Sequence, residues 1–373
     1  MNLTTTVMMI LVFFLLCSGI FQFTFASNLR IFNHTSEDKN WTEAQHECNE
    51  TGGSLVTLYD DEDATFMQKY MTKSSSWFVS SVWLGLTKTR TNVTTWSNGA
   101  PFIFNRSSVN INDGQQICEA MDKNTWKGFT CSGKHYFMCY KDNQYVLIEK
   151  KKDWCQAELY CRQHYSNLVS ISDEEQNQKV IKEGKNKTFW IGLLHDEWEW
   201  VDKTCSTYRT WSDLSDSAGT EAKCTVHVQY LFPKPIKPHE CFQGATTFCS
   251  TGDTRIRVIN RTATWEEALD YCEENYISLL WIKDVNDQEA VKQWLEGNGY
   301  TGTFWIGLRQ SIMFGFWIWK DSPVLESNWK DDKAPEMPFS NQCGVINATD
   351  NKWSDENCFN EHPFICAEKI LKY

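Results

Sequence analysis

Trp265-Glu266-Glu267-Ala268-Leu269-Asp270-Tyr271-Cys272 is the stretch that decides the fold. Trp265, Ala268 and Cys272 stand at i, i+3 and i+7, one face of a helix, with Glu266, Glu267 and Asp270 on the wet side. The same W-x-x-A-x-x-x-C spacing occurs at Trp41–Cys48 and Trp154–Cys161. Each copy continues into a short apolar run: Trp83-Leu84-Gly85-Leu86, Trp190-Ile191-Gly192-Leu193 and Trp305-Ile306-Gly307-Leu308. Such a run reads as a buried central strand. Each copy ends on a cysteine pair, Cys131/Cys139, Cys241/Cys249 or Cys358/Cys366, preceded by Cys118, Cys224 or Cys343. The period of about 110 residues is too long for a solenoid unit and is the size of one small domain. The chain therefore carries three tandem copies of one domain.

Within a copy the expected order is an opening strand (Leu29–Phe32, Tyr145–Ile148, Ile256–Ile259), the Trp-Ala-Cys helix and a second helix. Asp287–Gly297 is that second helix in the third copy. Alternation then puts Trp198/Trp200 and Trp317/Trp319 on one face of a later strand.

The 373 residues hold 15 cysteines and a net charge of −12. With 41% hydrophobic and 23% charged residues the chain reads as folded domains rather than disorder. The acidic balance argues against nucleic acid, which selects clustered Lys and Arg. It also argues against adhesion to anionic membranes. Val7 to Phe25 is almost wholly apolar and reads as part of a signal peptide over 1–26, with no Lys or Arg ahead of it. The alternative is an uncleaved N-terminal membrane anchor. No second apolar run of spanning length follows. Either reading places the rest outside the cell; the first makes it secreted and leaves no integral membrane segment. Candidate N-glycosylation sites at Asn33, Asn40, Asn49, Asn92, Asn105, Asn186, Asn260 and Asn347 agree. Removing Cys17 with the leader leaves an even number of cysteines, as full pairing requires.

The order W-x-x-A-x-x-x-C, W-[IL]-G-L, W-x-W and C…C-x7-C resembles the C-type lectin-like domain, and the tandem arrangement resembles receptors related to the macrophage mannose receptor. The resemblance implies an α+β fold: three tandem domains over 27–140, 141–250 and 251–373. Each would have two helices flanking small antiparallel sheets with long loops, stabilised by disulfides. It implies the pairs Cys48–Cys139, Cys118–Cys131, Cys161–Cys249, Cys224–Cys241, Cys272–Cys366 and Cys343–Cys358. Cys155 and Cys205 remain, and we expect them to pair; the alternatives are two free thiols or an intermolecular bridge. Short joins at Tyr140–Gln144 and Ser250–Thr254 suggest a bead-like rod.

Calcium-dependent members of that family use a Glu-Pro-Asn or Gln-Pro-Asp loop, an acid two before the third cysteine, and Asn-Asp after a Trp. Calcium takes six to eight oxygens, several from carboxylates. The first copy has Lys127-Gly128 after Trp126, and Gln116 before Cys118. The second has Ile236-Lys237-Pro238, and Ala222 before Cys224. The third has Ala334-Pro335-Glu336, Asn341, and Ser354-Asp355 after Trp353, so Asp355 alone is kept unchanged. Glu336, Asn341, Ser354 and Asp355 are the candidate ligands of a degraded calcium site in this copy, with Asp331 and Asp332 as candidate structural ligands. The competing reading is a solvated acidic loop. No cofactor other than calcium is expected.

Ile312–Phe316 and Phe102-Ile103-Phe104 are either apolar contacts for a partner or turns packed on their own domain. No G-x-S-x-G or H-E-x-x-H occurs, and an enzyme is not expected. The resemblance implies recognition of glycans or glycoproteins, with a role in innate defence as its extension. The alternative is a calcium-independent module for a protein ligand, as in a receptor ectodomain or decoy.

Overall fold

Indole nitrogens show why the repeated motif folds as it does. Trp265 Nε1 donates to the carbonyl of Ile306 (2.9 Å), and Trp305 Nε1 donates to that of Ala263 (2.9 Å). The helix Trp and the strand Trp of the third copy thus tie helix, opening strand and central strand into one core. The computed structural model describes residues 29–74, 81–88, 93–112, 114–212, 223–228, 235–311, 316–320, 322–324, 328–335 and 341–373. The leader reading over 1–26 lies outside them. Among the described residues no helix is long and apolar enough to cross a membrane.

Six helices occur among the described residues: α1 Trp41–Glu50, α2 Asp61–Ser74, α3 Trp154–His164, α4 Glu174–Glu183, α5 Trp265–Asn275 and α6 Val285–Asn298. Their starts follow from local chemistry. Asn40 and Thr264 form capping boxes with Glu43 and Glu267, and Asp153, Asp173 and Asp284 cap α3, α4 and α6.

The third repeat closes on itself as unit C. Strand Thr254–Ala263 pairs with His362–Lys369. The central strand Thr303–Gln310 pairs with Gln342–Asn347 and, through a hairpin, with Trp317–Trp319. Trp305 is fully buried.

The first two repeats do not close separately; they exchange halves. Unit A joins residues 29–88 to 199–251. Asn33 lies opposite Cys249, Trp83 opposite Val226, and Leu86 opposite Trp200. Unit B is built from 93–196 in permuted order. The end of repeat one (Gln116–Lys141) comes first and the start of repeat two (Gln144–Asp196) follows. Phe137 lies opposite Ile148, Trp190 opposite Ala120, and Leu193 opposite Trp96.

The disulfides carry the same exchange. Cys48 bonds Cys249 and Cys139 bonds Cys161. This corrects the expected Cys48–Cys139 and Cys161–Cys249. The physical reason is that the repeats offer chemically equivalent partners: the last strand of either repeat presents a cysteine eight residues after another, Cys139 or Cys249, to either first helix. The other bridges are Cys118–Cys131, Cys155–Cys205, Cys224–Cys241, Cys272–Cys366 and Cys343–Cys358. Because of the exchange, Cys155–Cys205 staples α3 of unit B to unit A.

The bead-like rod is also corrected. Helix α2 of unit A packs on α6 of unit C, with Phe66 stacked on Trp294 at 4.9 Å and Phe32 on Trp294 at 6.2 Å. At Gly297 an added Cβ would meet the Phe66 ring at 2.3 Å, so only glycine lets the helices approach. A buried charged seam follows. Arg255 reaches Asp60 (2.6 Å), Asp63 (3.4 Å) and Glu368 (2.9 Å), and Arg30 reaches Asp63 (3.2 Å). The C-terminal residues clip across A and B: Cys205 N donates to Leu371 O, Tyr373 N to Lys203 O, and Arg162 Nη1 to Lys372 O. Arg30 N donates to Thr254 O, and Ile370 N to Asp253 O, so both described ends meet the same join.

Candidate functional site

Trp353 stands at the head of the acidic motif in unit C and is a core pillar. Its Nε1 donates to Gln288 Oε1 (3.0 Å), and its ring sits edge-on to Trp319 at 5.2 Å. Ser354 and Asp355 follow on strand Trp353–Asn357, opposite Val345 and Gly344, and both are half-buried. Asn341 is exposed, and its carbonyl accepts from Cys358 N (2.9 Å). Glu336 lies outside the described residues. Asp332 is held by the Lys352 ammonium at 3.0 Å, which places a cation beside the motif. Among the described residues Asn341, Ser354 and Asp355 supply fewer oxygens than the six to eight calcium takes. No trio of His, Cys, Asp and Glu among those residues is placed to hold a metal.

The matching positions in unit B are engaged otherwise. Lys127 pairs with Asp122 at 3.5 Å and lies over the Phe129 ring. Gln116 donates to Asp196 Oδ2 and to Ser206 O, both at 3.1 Å, which turns it toward the crossing of the chain. In unit A, Ile236-Lys237-Pro238 is a plain edge strand against Cys224–Val228, and Ala222 lies outside the described residues. Phe102 and Phe104 pack around Trp96 and Trp126, leaving Ile103 exposed. Of the Ile312–Phe316 loop only Phe316 is described, and it is exposed.

A cleft of about 560 Å³ opens between units A and B. Tyr59, Tyr208 and Trp211 come from unit A, and Gln116, Ser132 and Asp153 from unit B. Trp211 Nε1 donates to Gly114 O (2.6 Å), and Tyr208 donates to Asp61 Oδ1 (3.1 Å). Two buried polar atoms on lining residues, Gln116 Oε1 and Arg209 Nε, have no protein partner. Burial pushes the Asp153 carboxyl up to about 6. It also pushes the Tyr208 hydroxyl well above its ordinary range. The wall therefore offers donors, acceptors and an indole edge, the chemistry that suits a hydroxylated ligand.

The Lectin C-type domain profile matches residues 37–141, 150–251 and 261–368. The chain belongs to the C-type lectin domain family. The human secretory phospholipase A2 receptor is 23% identical over 91% of this lectin-domain chain and 28% of its own length. The human C-type mannose receptor 2 is 34% identical over 29% of the chain and 7% of its own length. The chain thus spans under a third of these receptors. A calcium-independent type II antifreeze protein is 27% identical over 32% of the chain and 89% of its own (TM-score 0.29). A mouse scavenger receptor C-type lectin domain is 25% identical over 31% and 91% (TM-score 0.28).

In this C-type lectin chain the matched segments follow the sequence repeats, whereas units A and B cross them. That is why sequence reasoning missed the cleft. Tyr59, Gln116, Asp153 and Trp211 share no motif and meet only after the exchange. One signal was available: Gln116 replaces an acid two before Cys118, and a side chain freed from ligation is free to turn inward. Five of the sequon asparagines, Asn33, Asn49, Asn105, Asn186 and Asn260, are exposed, Asn40 caps α1, Asn347 is half-buried, and Asn92 lies outside the described residues.

Proposed function

We propose that this protein is an extracellular recognition protein that binds a glycan without calcium, in the cleft between units A and B. The observation that carries the reading is the pairing of two facts. The calcium-ligand positions of the first copy hold Gln116 and Lys127, and a separate cleft is lined by the polar side chains of Gln116, Ser132, Asp153 and Tyr208 beside Trp211. Sugar hydroxyls hydrogen-bond with such side chains, and an indole supports the apolar face of a pyranose. Seven disulfides support an oxidising, extracellular compartment. Lectin-type receptors among the relatives support recognition rather than catalysis.

The test is a glycan array with the purified protein, run with and without chelator. Binding that survives chelation and drops roughly tenfold in Trp211→Ala supports the reading, as expected when a stacking ring and its pocket are removed. Binding abolished by chelator would place calcium, and with it Asp355 and Glu336, at the centre instead. A protein ligand is the second reading. It is favoured by Phe242 and Phe359, which follow equivalent cysteines in units A and C and are 75% and 68% exposed. A silent array with retained binding to a protein partner would select it.

A further inference from the structure

The hairpin of unit C sets a standard for the other two units. Leu308 pairs with Trp319, Arg309 with Ile318 and Gln310 with Trp317, and Ser311 N donates to Phe316 O (2.9 Å). The exchanged units reproduce this register between repeats. Leu86 pairs with Trp200 and Thr87 with Glu199; Leu193 pairs with Trp96 and His195 with Thr94. The cross-strand pairs are therefore equivalent whether the halves are exchanged or not, and they do not decide between the two arrangements.

Cross-link entropy does not decide either. On the chain-entropy account the bridges spanning 201 and 22 residues stabilise by about 5 and 3 kcal/mol. Two bridges of about 90 residues, as in a linear arrangement, would give about 4.5 kcal/mol each, nearly the same sum.

The connections do differ. If repeat one closed on itself in this register, Thr89–Val93 would span the turn, ample length. If repeat two did so, Leu193 would face Trp200 and His195 would face Trp198. Only Asp196-Glu197 would remain to turn the chain. Two-residue hairpins need left-handed backbone at one or both positions, the place of Asn-Gly or Gly. Glu197 is a poor residue there, and strained short hinges favour swapping. In the exchanged fold no turn is required. Asp196 is extended within strand Phe189–Asp196, its N–H donates to Val93 O (2.9 Å), and Glu197 pairs with Lys88 at 2.9 Å. The Asp196 carboxylate is clasped from both sides, by Gln116 of unit B (3.1 Å) and Arg209 of unit A (2.8 Å).

We infer that the two-residue Asp196-Glu197 connection is a topological switch: it lacks the glycine that a two-residue hairpin closing repeat two would call for, and so directs repeats one and two to fold by exchanging halves. The experiment is peptide mapping of disulfides, without reduction, on the full secreted chain and on a variant with Gly-Ser-Asn-Gly inserted between Asp196 and Glu197. The unaltered chain yields Cys48–Cys249 and Cys139–Cys161. The insertion shifts the ratio toward Cys48–Cys139 and Cys161–Cys249 by roughly tenfold or more, the expected return for relieving a strained backbone position. The same insertion after Thr91, where the connection is already long, leaves the map exchanged. A linear map in the unaltered chain, or an exchanged map that the hinge insertion does not move, overturns the inference. If the insertion variant is not secreted, Glu197→Gly replaces it: a measurable linear fraction supports the inference, and an unchanged map counts against it.

Discussion

His227 is 1% exposed on the central strand Cys224–Val228, and neither ring nitrogen has a partner. Burial pushes it down to about 4. Between pH 4 and 6.5 the unfolded chain binds the proton and the folded chain does not. Stability from this residue is therefore full above pH 6.5 and falls, by at most about 3 kcal/mol, as pH drops through 4. Asp153, raised to about 6 from an ordinary 3.8, has the opposite slope: its contribution is present in acid and is lost as pH rises through 6. Asp153 keeps a wet edge, so His227 dominates, and Tm should rise with pH across this window. In His227→Leu the slope should flatten or invert, and in Asp153→Asn it should steepen; Tm measured from pH 4 to 7 checks both. Trp83, Trp190 and Trp305 were legible as core residues from the sequence, because a Trp inside a short apolar strand has nowhere else to go, and all three are fully buried. His227 was not legible, since a lone histidine in a strand carries no sign of whether it is buried.

At the scale of elements, the helices were read well because their signals are local. The Trp-Ala-Cys stripe and the caps specify α1, α3 and α5, and the second helix of the third copy runs Val285–Asn298 against an expected Asp287–Gly297. Pairing between elements was not legible, since equivalent strands of two repeats carry equivalent patterns. The α2–α6 contact shows how one residue can govern a whole interface. Gly297→Ala would gain about 1 kcal/mol of helix propensity. The added methyl would meet the Phe66 ring at 2.3 Å, and overpacking of that kind costs roughly 1–3 kcal/mol. The clash wins, so the denaturant midpoint should fall. A rise in the midpoint would mean that the helices part without cost.

The whole molecule is held by sulfur and by the charged seam. Burial alone would raise the Asp60 carboxyl, but Arg255 and Arg257 hold it well below the usual carboxylate range. Arg255→Met takes one of two arginines from each of Asp60, Asp63 and Glu368, leaving Arg257 and Arg30, and should cost about 1.5–3 kcal/mol, seen as loss of cooperative unfolding between units A and C. Calorimetry that still shows a single transition at an unchanged temperature would contradict this. The number of domains was legible because cysteine spacing repeats. Their arrangement was not, because it depends on a two-residue turn whose strain shows only with the partner strands beside it.

The described ends have a mechanical consequence. Arg30 and Ile370 both dock on Asp253-Thr254, so the polypeptide arrives and departs at one spot. Spliced between neighbours in a longer ectodomain, such a body would hang like a pendant from a single eyelet. Tension along that string would first peel the backbone hydrogen bonds at the eyelet and the clip of Leu371 and Tyr373 on Cys205 and Lys203.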